Sequence, residues 1–363
     1  MVWNWQLSSW PNFTYNLTLL ESLEREFLQG AGGVFAIWKS FASEEKKQFI
    51  VEVLSTEGVT SSKIEGEILE RDSLQSSLRK HFRLKVDEKR ATQKEAAMAS
   101  LLCKVHETYS SPLTHEMLHD WHHVLMDGSD YLEDVGRYRS HPEPMQIVSG
   151  RYDDSKVYFE APPSSSLEEE MTGFINWFND RENAPFVLVK AAITHVYFES
   201  IHPFIDGNGR LGRALVEKVI SQYLGHPSLI SVSMQIEKRR KEYYAALGSC
   251  NRNLDISRWI SFFAEVLLQA QKESEQLLSF LLAKSRIMNS LIGKINHRQE
   301  KVLLRVFSEG TKGFAGGLSA ENYISITKTS RASATRDLVD LVKKGVLSKT
   351  GERKSTRYWL ILN

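Results

Sequence analysis

The chain has 363 residues, enough for two or three domains that each bury a core, and its hydrophobic (42%) and charged (25%) fractions are those of an ordinary globular protein. Forty-six Lys and Arg against 45 Asp and Glu leave a net charge of +1. That excludes a whole-chain attraction to nucleic acid or membrane and confines any basic surface to a local patch. Cys103 and Cys250 are the only cysteines and sit in no metal or redox spacing, which excludes a disulfide framework and points to a reducing, cytoplasmic setting.

The opening Met1-Val2-Trp3-Asn4-Trp5-Gln6 lacks the basic-then-apolar pattern of a signal peptide. The apolar stretch 259–270 is broken by Glu265, so no membrane span is expected. Residues 1–90 read as a helical segment. Trp5, Trp10, Phe13 and Tyr15 form an aromatic opening that should pack on the body in extended form. Leu19, Leu20, Leu23, Phe27 and Leu28 then recur at helical spacing, followed by Phe49, Ile50, Val53 and Leu54 after Ser43. A third pattern with Ile64, Ile68 and Leu69 follows Gly58.

Helical stripes continue through 91–293, with Leu101, Leu102 and Val105 in one and Met117, Leu118, Trp121, Val124 and Leu125 in the next. The exception is 141–163, where prolines surround two strand-like runs, 145–148 and 156–159, around Gly150-Arg151-Tyr152-Asp153-Asp154. This predicts a lone β-hairpin in a helical domain, and an isolated hairpin is better suited to touching a ligand than to building a core. Residues 298–363 carry 13 Lys and Arg against 6 acids, a local charge of +7. The pattern there is a helix (299–307), a Gly-rich turn (313–317), a short helix (320–325), a longer helix (330–343), and two strands (346–349 and 357–361) around Thr350-Gly351-Glu352-Arg353-Lys354. That order predicts a winged helix-turn-helix over 294–363.

The densest chemistry lies at His202-Pro203-Phe204-Ile205-Asp206-Gly207-Asn208-Gly209-Arg210-Leu211-Gly212-Arg213. Two glycines flanking Asn208 can turn several backbone N–H groups to one point, and a helix starting at Gly209 adds more, so phosphate is the expected guest. Arg210 and Arg213, three apart, share one helix face and suit a di- or triphosphate. Asp206 offers a hard oxygen for Mg²⁺ bridging phosphates, and His202 is placed as a general base.

This stretch resembles the signature of Fic-domain proteins, His-Pro-Phe-x-Asp/Glu-Gly-Asn-Gly-Arg-x-x-Arg, at every specified position. The resemblance implies a mainly α fold, a helical core over 91–293 with a β-hairpin flap, and AMP transfer from ATP to Ser, Thr or Tyr hydroxyls of target proteins or of the chain itself. It implies His202 as base and Asp206 as the ligand of Mg²⁺ (or Mn²⁺). ATP contacts fall to Gly207, Asn208, Gly209, Arg210, Leu211, Gly212 and Arg213, with Arg213 on the γ-phosphate. The hairpin matches the family's target-clamping flap, whose end at Val157, Tyr158, Phe159 and Glu160 borders ATP. Tyr243 and Asn251 resemble residues on the adenine and ribose side, and Gly136-Arg137-Tyr138-Arg139 resembles family scaffold.

Ser61-Ser62-Lys63-Ile64-Glu65-Gly66 resembles the family's inhibitory motif, Ser/Thr-x-x-x-Glu-Gly/Asn. It implies that Ser61, Glu65 and Gly66 form a brake in which Glu65 pairs with Arg213 and excludes the γ-phosphate from its reactive position. Three alternatives stay open: removal of AMP, transfer of another phosphate-containing group, and a DNA-binding regulator with an ATP-sensing core. The intact His202 argues against pure sensing, which needs no base. On the terminal module Lys328, Arg331, Arg336, Lys349, Arg353, Lys354 and Arg357 leave DNA open as a partner of 294–363. A second copy of the chain is also open as a partner; a membrane is not expected.

Overall fold

The computed structural model describes residues 2–18, 20–85, 91–129, 132–149, 156–180, 182–184 and 186–362. Leu19 and the expected hairpin turn at 150–154 therefore lie outside the described residues, as does the side chain of Lys354. The elements in chain order are helices α1 (Leu20–Ser40), α2 (Ser43–Ile64), α3 (Arg71–His81), α4 (Gln93–Glu107) and α5 (His115–Leu125), then strands β1 (Gln146–Ser149) and β2 (Lys156–Glu160). Next come helices α6 (Leu167–Asn179), α7 (Val187–Ile201), α8 (Asn208–Leu224), α9 (Val232–Lys238), α10 (Arg240–Gly248) and α11 (Ser257–Ser290). The last are α12 (His297–Phe307), α13 (Ala320–Thr327), α14 (Arg331–Lys343), β3 (Leu347–Thr350) and β4 (Arg357–Leu360). The chain divides into two compact units, one of residues 1–36 and 42–274, the other of 37–41 and 275–363. No helix of the described residues is long and apolar enough to cross a membrane.

In the first unit the central element is α7. Its run Val-Leu-Val-Lys-Ala-Ala-Ile-Thr-His-Val-Tyr-Phe is apolar on nearly every side, and the helix is buried accordingly, from Val187 and Leu188 to Phe198 and Ile201. It packs along α8, whose inner face supplies Leu211, Leu215, Val216, Val219 and Ile220. Trp259 of α11 closes this core and donates its indole N–H to the Ala192 carbonyl at 2.8 Å.

The second and third helical patterns of the sequence are one continuous helix, α2. Gly58 is no breaker there. A side chain at that position would come within 2.8–3.0 Å of Leu74, Leu102 and Met98, so the glycine lets α2 close on α3 and α4. Past the end of α2, Ile68 is 92% exposed while Leu69 is buried, so the apolar periodicity there belongs to a turn and not to a helix.

The aromatic opening contains a short 3₁₀ turn at Asn4–Gln6 and is tied to the body at several points, three of them at α7 and the hairpin. Asn4 Nδ2 donates to Ser200 Oγ at the end of α7 (2.8 Å), Trp5 donates its indole N–H to the Glu160 carbonyl of β2 (2.7 Å), and Trp3 meets Phe159 edge to face at 5.4 Å. β1 and β2 pair antiparallel, Gln146 opposite Glu160 and Ile147 opposite Phe159, with an irregularity before Val148.

The second unit builds its own core from Val302, Leu303, Val306, Phe307, Leu318, Tyr323, Ala334, Leu338, Leu341, Val346, Leu347 and Tyr358. Asp337 of α14 is buried under this core's edge and accepts from Arg298 Nε (2.9 Å), Tyr323 OH (2.9 Å) and Asn296 Nδ2 (3.0 Å). A buried carboxylate with three donors fixes the mutual placement of three helices. β3 and β4 form an antiparallel hairpin, Leu347 opposite Leu360.

Candidate active site

α7 ends at Ile201, and His202 caps it in the left-handed region (φ 50°), its N–H donating to the Phe198 carbonyl at 3.0 Å. The six residues to the start of α8 are stapled by Asn208. Its Oδ1 accepts from the Phe204 N–H (3.0 Å) and its Nδ2 donates to the Phe204 carbonyl (2.7 Å). Asn208 thus shapes the loop as well as opening α8. Gly207 caps α8 at φ 84°, and the first N–H groups of that helix, from Asn208 to Arg210, have no carbonyl one turn back to bond.

Arg139, from the segment Gly136-Arg137-Tyr138-Arg139, holds this loop from behind. Its backbone N–H donates to the Pro203 carbonyl (2.9 Å), its Nε to the His202 carbonyl (2.9 Å), and its Nη2 to the Pro162 carbonyl just past the hairpin (2.5 Å). One buried guanidinium therefore sets the spacing between the His202 loop and the hairpin. His122 supports the same loop by stacking on Phe204 at 4.0 Å and accepting the Gly136 N–H at 2.9 Å.

The His202 side chain is 13% exposed, and this desolvation, reinforced by the Arg139 charge, pushes it down to about 4. It is neutral at pH 7, the state a base requires. Its Nδ1 turns back toward Glu199, 3.8 Å from Oε2, so Nε2 is the nitrogen left to face a substrate. Glu199 is only 11% exposed, and desolvation together with the neighbouring Glu65 pushes it up to about 8.

The two motif arginines are both occupied. Arg213 is 1% exposed and pairs through Nη1 with Glu65 Oε1 at 2.8 Å. Its Nε donates to Ser61 Oγ and its Nη2 to the Ser61 carbonyl, each at 2.9 Å. Glu65 is the C-cap of α2, and Gly66 follows at φ 85°, a conformation that favours glycine. That turn carries the chain round so that the next side chain, Glu67, also reaches α8. Glu67 Oε2 pairs with Arg210 Nη1 at 2.6 Å, and Glu67 Oε1 with Lys94 at 3.0 Å. Arg210 Nη2 lies 3.2 Å from Asp206 Oδ1. From α10, Arg240 Nη2 (2.6 Å) and Tyr244 OH (3.3 Å) both donate to the Ile64 carbonyl and pin the last turn of α2.

Asp206 is a single carboxylate beside the first turn of α8, its Oδ1 also accepting the Gly207 N–H at 2.5 Å. Among the described residues no cluster of three or more His, Cys, Asp or Glu side chains is arranged to hold a metal ion. One carboxylate next to a phosphate nest fits an ion held mainly by phosphate oxygens and water, as Mg²⁺ usually is.

The remaining site residues are unequally placed. The period-2 alternation of β2 turns Val157 and Phe159 toward Trp3 and Trp5, leaving Tyr158 and Glu160 on the other face. Asn251 joins the hairpin by donating Nδ2 to the Tyr158 carbonyl at 3.2 Å. Tyr243 is buried with its hydroxyl bonded to His195 Nε2 at 2.8 Å, so that hydroxyl serves the core.

Residues 112–220, which include the whole loop and both arginines, match the Fic/DOC family. The chain carries a Fic domain. Residues 3–84, which include the aromatic opening and the turn from Glu65 to Glu67, match a domain of unknown function, DUF4172. The chain is 32% identical over 139 residues to a protein adenylyltransferase Fic of Nematostella vectensis, which is 37% of this chain and 31% of that protein. It is 35% identical over 141 residues to that of Aedes aegypti (38% and 26%), and 25% identical over 216 residues to protein adenylyltransferase fic-1 of Caenorhabditis elegans (59% and 38%). The chain thus spans about a third of the length of these relatives. In fold it is similar to a Fic family protein from Desulfovibrio desulfuricans, with a TM-score of 0.54 at 18% identity over 96% of this chain and 98% of that one. It is also similar to a Fic domain containing signaling protein from Bacteroides thetaiotaomicron, with a TM-score of 0.51 at 20% identity over 68% and 95%.

Sequence reasoning missed Glu67, Glu199 and Lys94 around this Fic domain. None occupies a recognisable motif position. The only signal for Glu67 was a glycine just before it, able to turn a second acid toward the same helix.

Proposed function

We propose that the chain is a protein adenylyltransferase that moves AMP from ATP to Ser, Thr or Tyr hydroxyls, and that Glu65 holds it in check. The observation that carries this reading is the pairing of Arg213 with Glu65 beside a neutral, largely shielded His202 at the N-terminus of α8. A target hydroxyl gives its proton to His202 Nε2 as its oxygen bonds to the α-phosphorus of ATP. The bond from the α-phosphorus to the α,β-bridging oxygen breaks, and pyrophosphate leaves. The Gly207–Arg210 amides and Arg210 hold phosphate oxygens, and Arg213 takes the γ-phosphate once Glu65 withdraws. Asp206 would hold Mg²⁺, which would supply charge neutralisation on the phosphates. In-line transfer of this kind depends chiefly on positioning and charge, which these residues provide.

The test uses ATP labelled at the α- or the γ-phosphate, incubated with the full chain and cell proteins. The expected result is α-label and no γ-label on protein, with mass spectrometry placing one AMP on a Ser, Thr or Tyr. Retention of γ-label would sink AMP transfer, and loss of AMP from pre-modified protein would favour removal.

The second unit supports a separate reading, a winged helix-turn-helix that binds DNA. Three helices followed by a hairpin carry Lys328, Arg336, Lys349 and Arg353 exposed, while Arg331 pairs with Glu321 at 2.8 Å and Arg357 is half-buried. Full chain is expected to retard duplex DNA with an affinity that falls steeply with salt. Arg336→Ala with Lys349→Ala should reduce the slope of log affinity on log salt by about 2. Absent or salt-insensitive retardation counts against this reading.

A further inference from the structure

We infer that the resting site is closed by two carboxylates, with Glu67 on Arg210 acting as a second brake alongside Glu65 on Arg213. The inference rests on the reading of residues 207–213 as the ATP phosphate site, and it extends the regulation of that site to a residue outside the inhibitory motif.

The geometry is direct. Arg210 is 6% exposed, and its Nη1 is engaged by Glu67 Oε2 at 2.6 Å, closer than the Glu65–Arg213 contact at 2.8 Å. Its Nη2 faces Asp206, so both outer nitrogens of the guanidinium already have an anion. Its Nε is buried without a partner. A phosphate oxygen coming to either outer nitrogen meets a carboxylate. The two glutamates flank Gly66, and the left-handed turn at that glycine aims them at neighbouring arginines of the first α8 turn. Arginines three apart on α8 are thus matched by acids two apart on a turn, and together the acids occupy both charges that a polyphosphate would use.

The structure also holds a way out for Glu67. Its other oxygen is on Lys94, and a cavity of about 160 Å³ lies beside the pair, lined by Ser62, Lys94, Met98, Met126 and Arg210. Glu67 can leave Arg210 into that space while keeping Lys94, so release does not strand a charge. Glu65 has no lysine in an ion pair with it among the described residues. The two brakes therefore open differently, Glu67 by exchange between cations and Glu65 by withdrawal of the turn.

The test is equilibrium binding of ATP with Mg²⁺ to the full chain by calorimetry, on wild type, Glu67→Gln, Glu65→Gly and the double variant. Glu67→Gln keeps the shape and removes the charge, and it should tighten ATP binding by about 10-fold in both backgrounds, the worth of one charge-assisted contact. Glu67→Asp keeps the charge but shortens the reach, and should fall between wild type and Glu67→Gln. Unchanged affinity in Glu67→Gln in both backgrounds, with Glu65→Gly tightened, overturns the second brake while leaving the ATP site intact. Tightened ATP binding in Glu67→Gln without any transfer of α-label in the double variant supports the brake and overturns AMP transfer instead. Circular dichroism of Glu67→Gln checks that the fold is retained, and Glu67→Ala gives the same charge removal by a second route should glutamine itself hydrogen-bond Arg210.

Discussion

His202→Ala should lower AMP incorporation by about 10³-fold in the Glu65→Gly background while changing ATP affinity less than about twofold, because a positioned general base contributes about 10²–10⁴ to rate and touches no phosphate. Rates with α-labelled ATP and a calorimetric Kd on the same preparations separate the two quantities. Equal losses in both would place His202 in binding and remove it as base. The pH profile gives an independent check. Burial and Arg139 hold His202 down to about 4, so it is already deprotonated at pH 8 and stays so as pH falls through the ordinary histidine range near 6.5. Incorporation should therefore not drop on His202's account between pH 8 and pH 6, and its acid limb should lie toward pH 4. A midpoint near 6.5 would mean that His202 is solvated in the working state.

The parts of this site that were legible in the sequence are those held by local geometry. The His202–Arg213 run carries its own loop, staple and helix start, so its shape follows from residues adjacent in sequence. The hairpin was legible for the same reason, since its two strands neighbour each other. What was not legible came from chain closure over long separations. Gly58 looked like a break because its reason, contact with Leu74, Met98 and Leu102, lies on two other helices. The bond from the Tyr243 hydroxyl to His195, 48 residues away, could not be read from its own helix. The covering of the Val157 and Phe159 face of β2 by Trp3 and Trp5 could not be read from either segment alone. Glu67 belongs with these. Its partner Arg210 is 143 residues away, and only the angle of the Gly66 turn brings them together.

That the aromatic brace on the hairpin and the two glutamates both lie within residues 3–84 gives the DUF4172 segment a physical task. It reaches the hairpin and α7 through Trp3, Asn4 and Trp5, and the arginines of α8 through Glu65 and Glu67. On the proposed reading, such a segment regulates the site by moving a short turn, since the helix behind that turn is anchored separately. Arg240 and Tyr244 hold the Ile64 carbonyl, and Lys63 pairs with Glu237 at 3.0 Å.

Glu65→Gly should raise incorporation of α-label by about 10- to 100-fold, and its cost in stability should disappear when ATP is present. In the resting chain the Arg213 guanidinium is almost wholly buried and has Glu65 as its ion-pair partner, with Ser61 supplying one hydroxyl and one carbonyl. Removing the carboxylate frees Arg213 for the γ-phosphate, a charge-assisted contact of about 1.5–3 kcal/mol, which at about 1.4 kcal/mol per tenfold gives the stated range. The same change leaves a buried cation with neutral acceptors only, so the nucleotide-free variant should lose about 1–3 kcal/mol and melt several degrees lower. ATP with Mg²⁺ returns an anion to Arg213 and should raise the Tm of Glu65→Gly by more than it raises that of wild type, since wild type must first displace Glu65. A variant that melts lower and is not rescued by ATP would mean that Glu65 is a structural cap of α2. A variant rescued by ATP yet no faster in transfer would place the limiting restraint elsewhere, and the Glu67 contact with Arg210 is then the next to be removed.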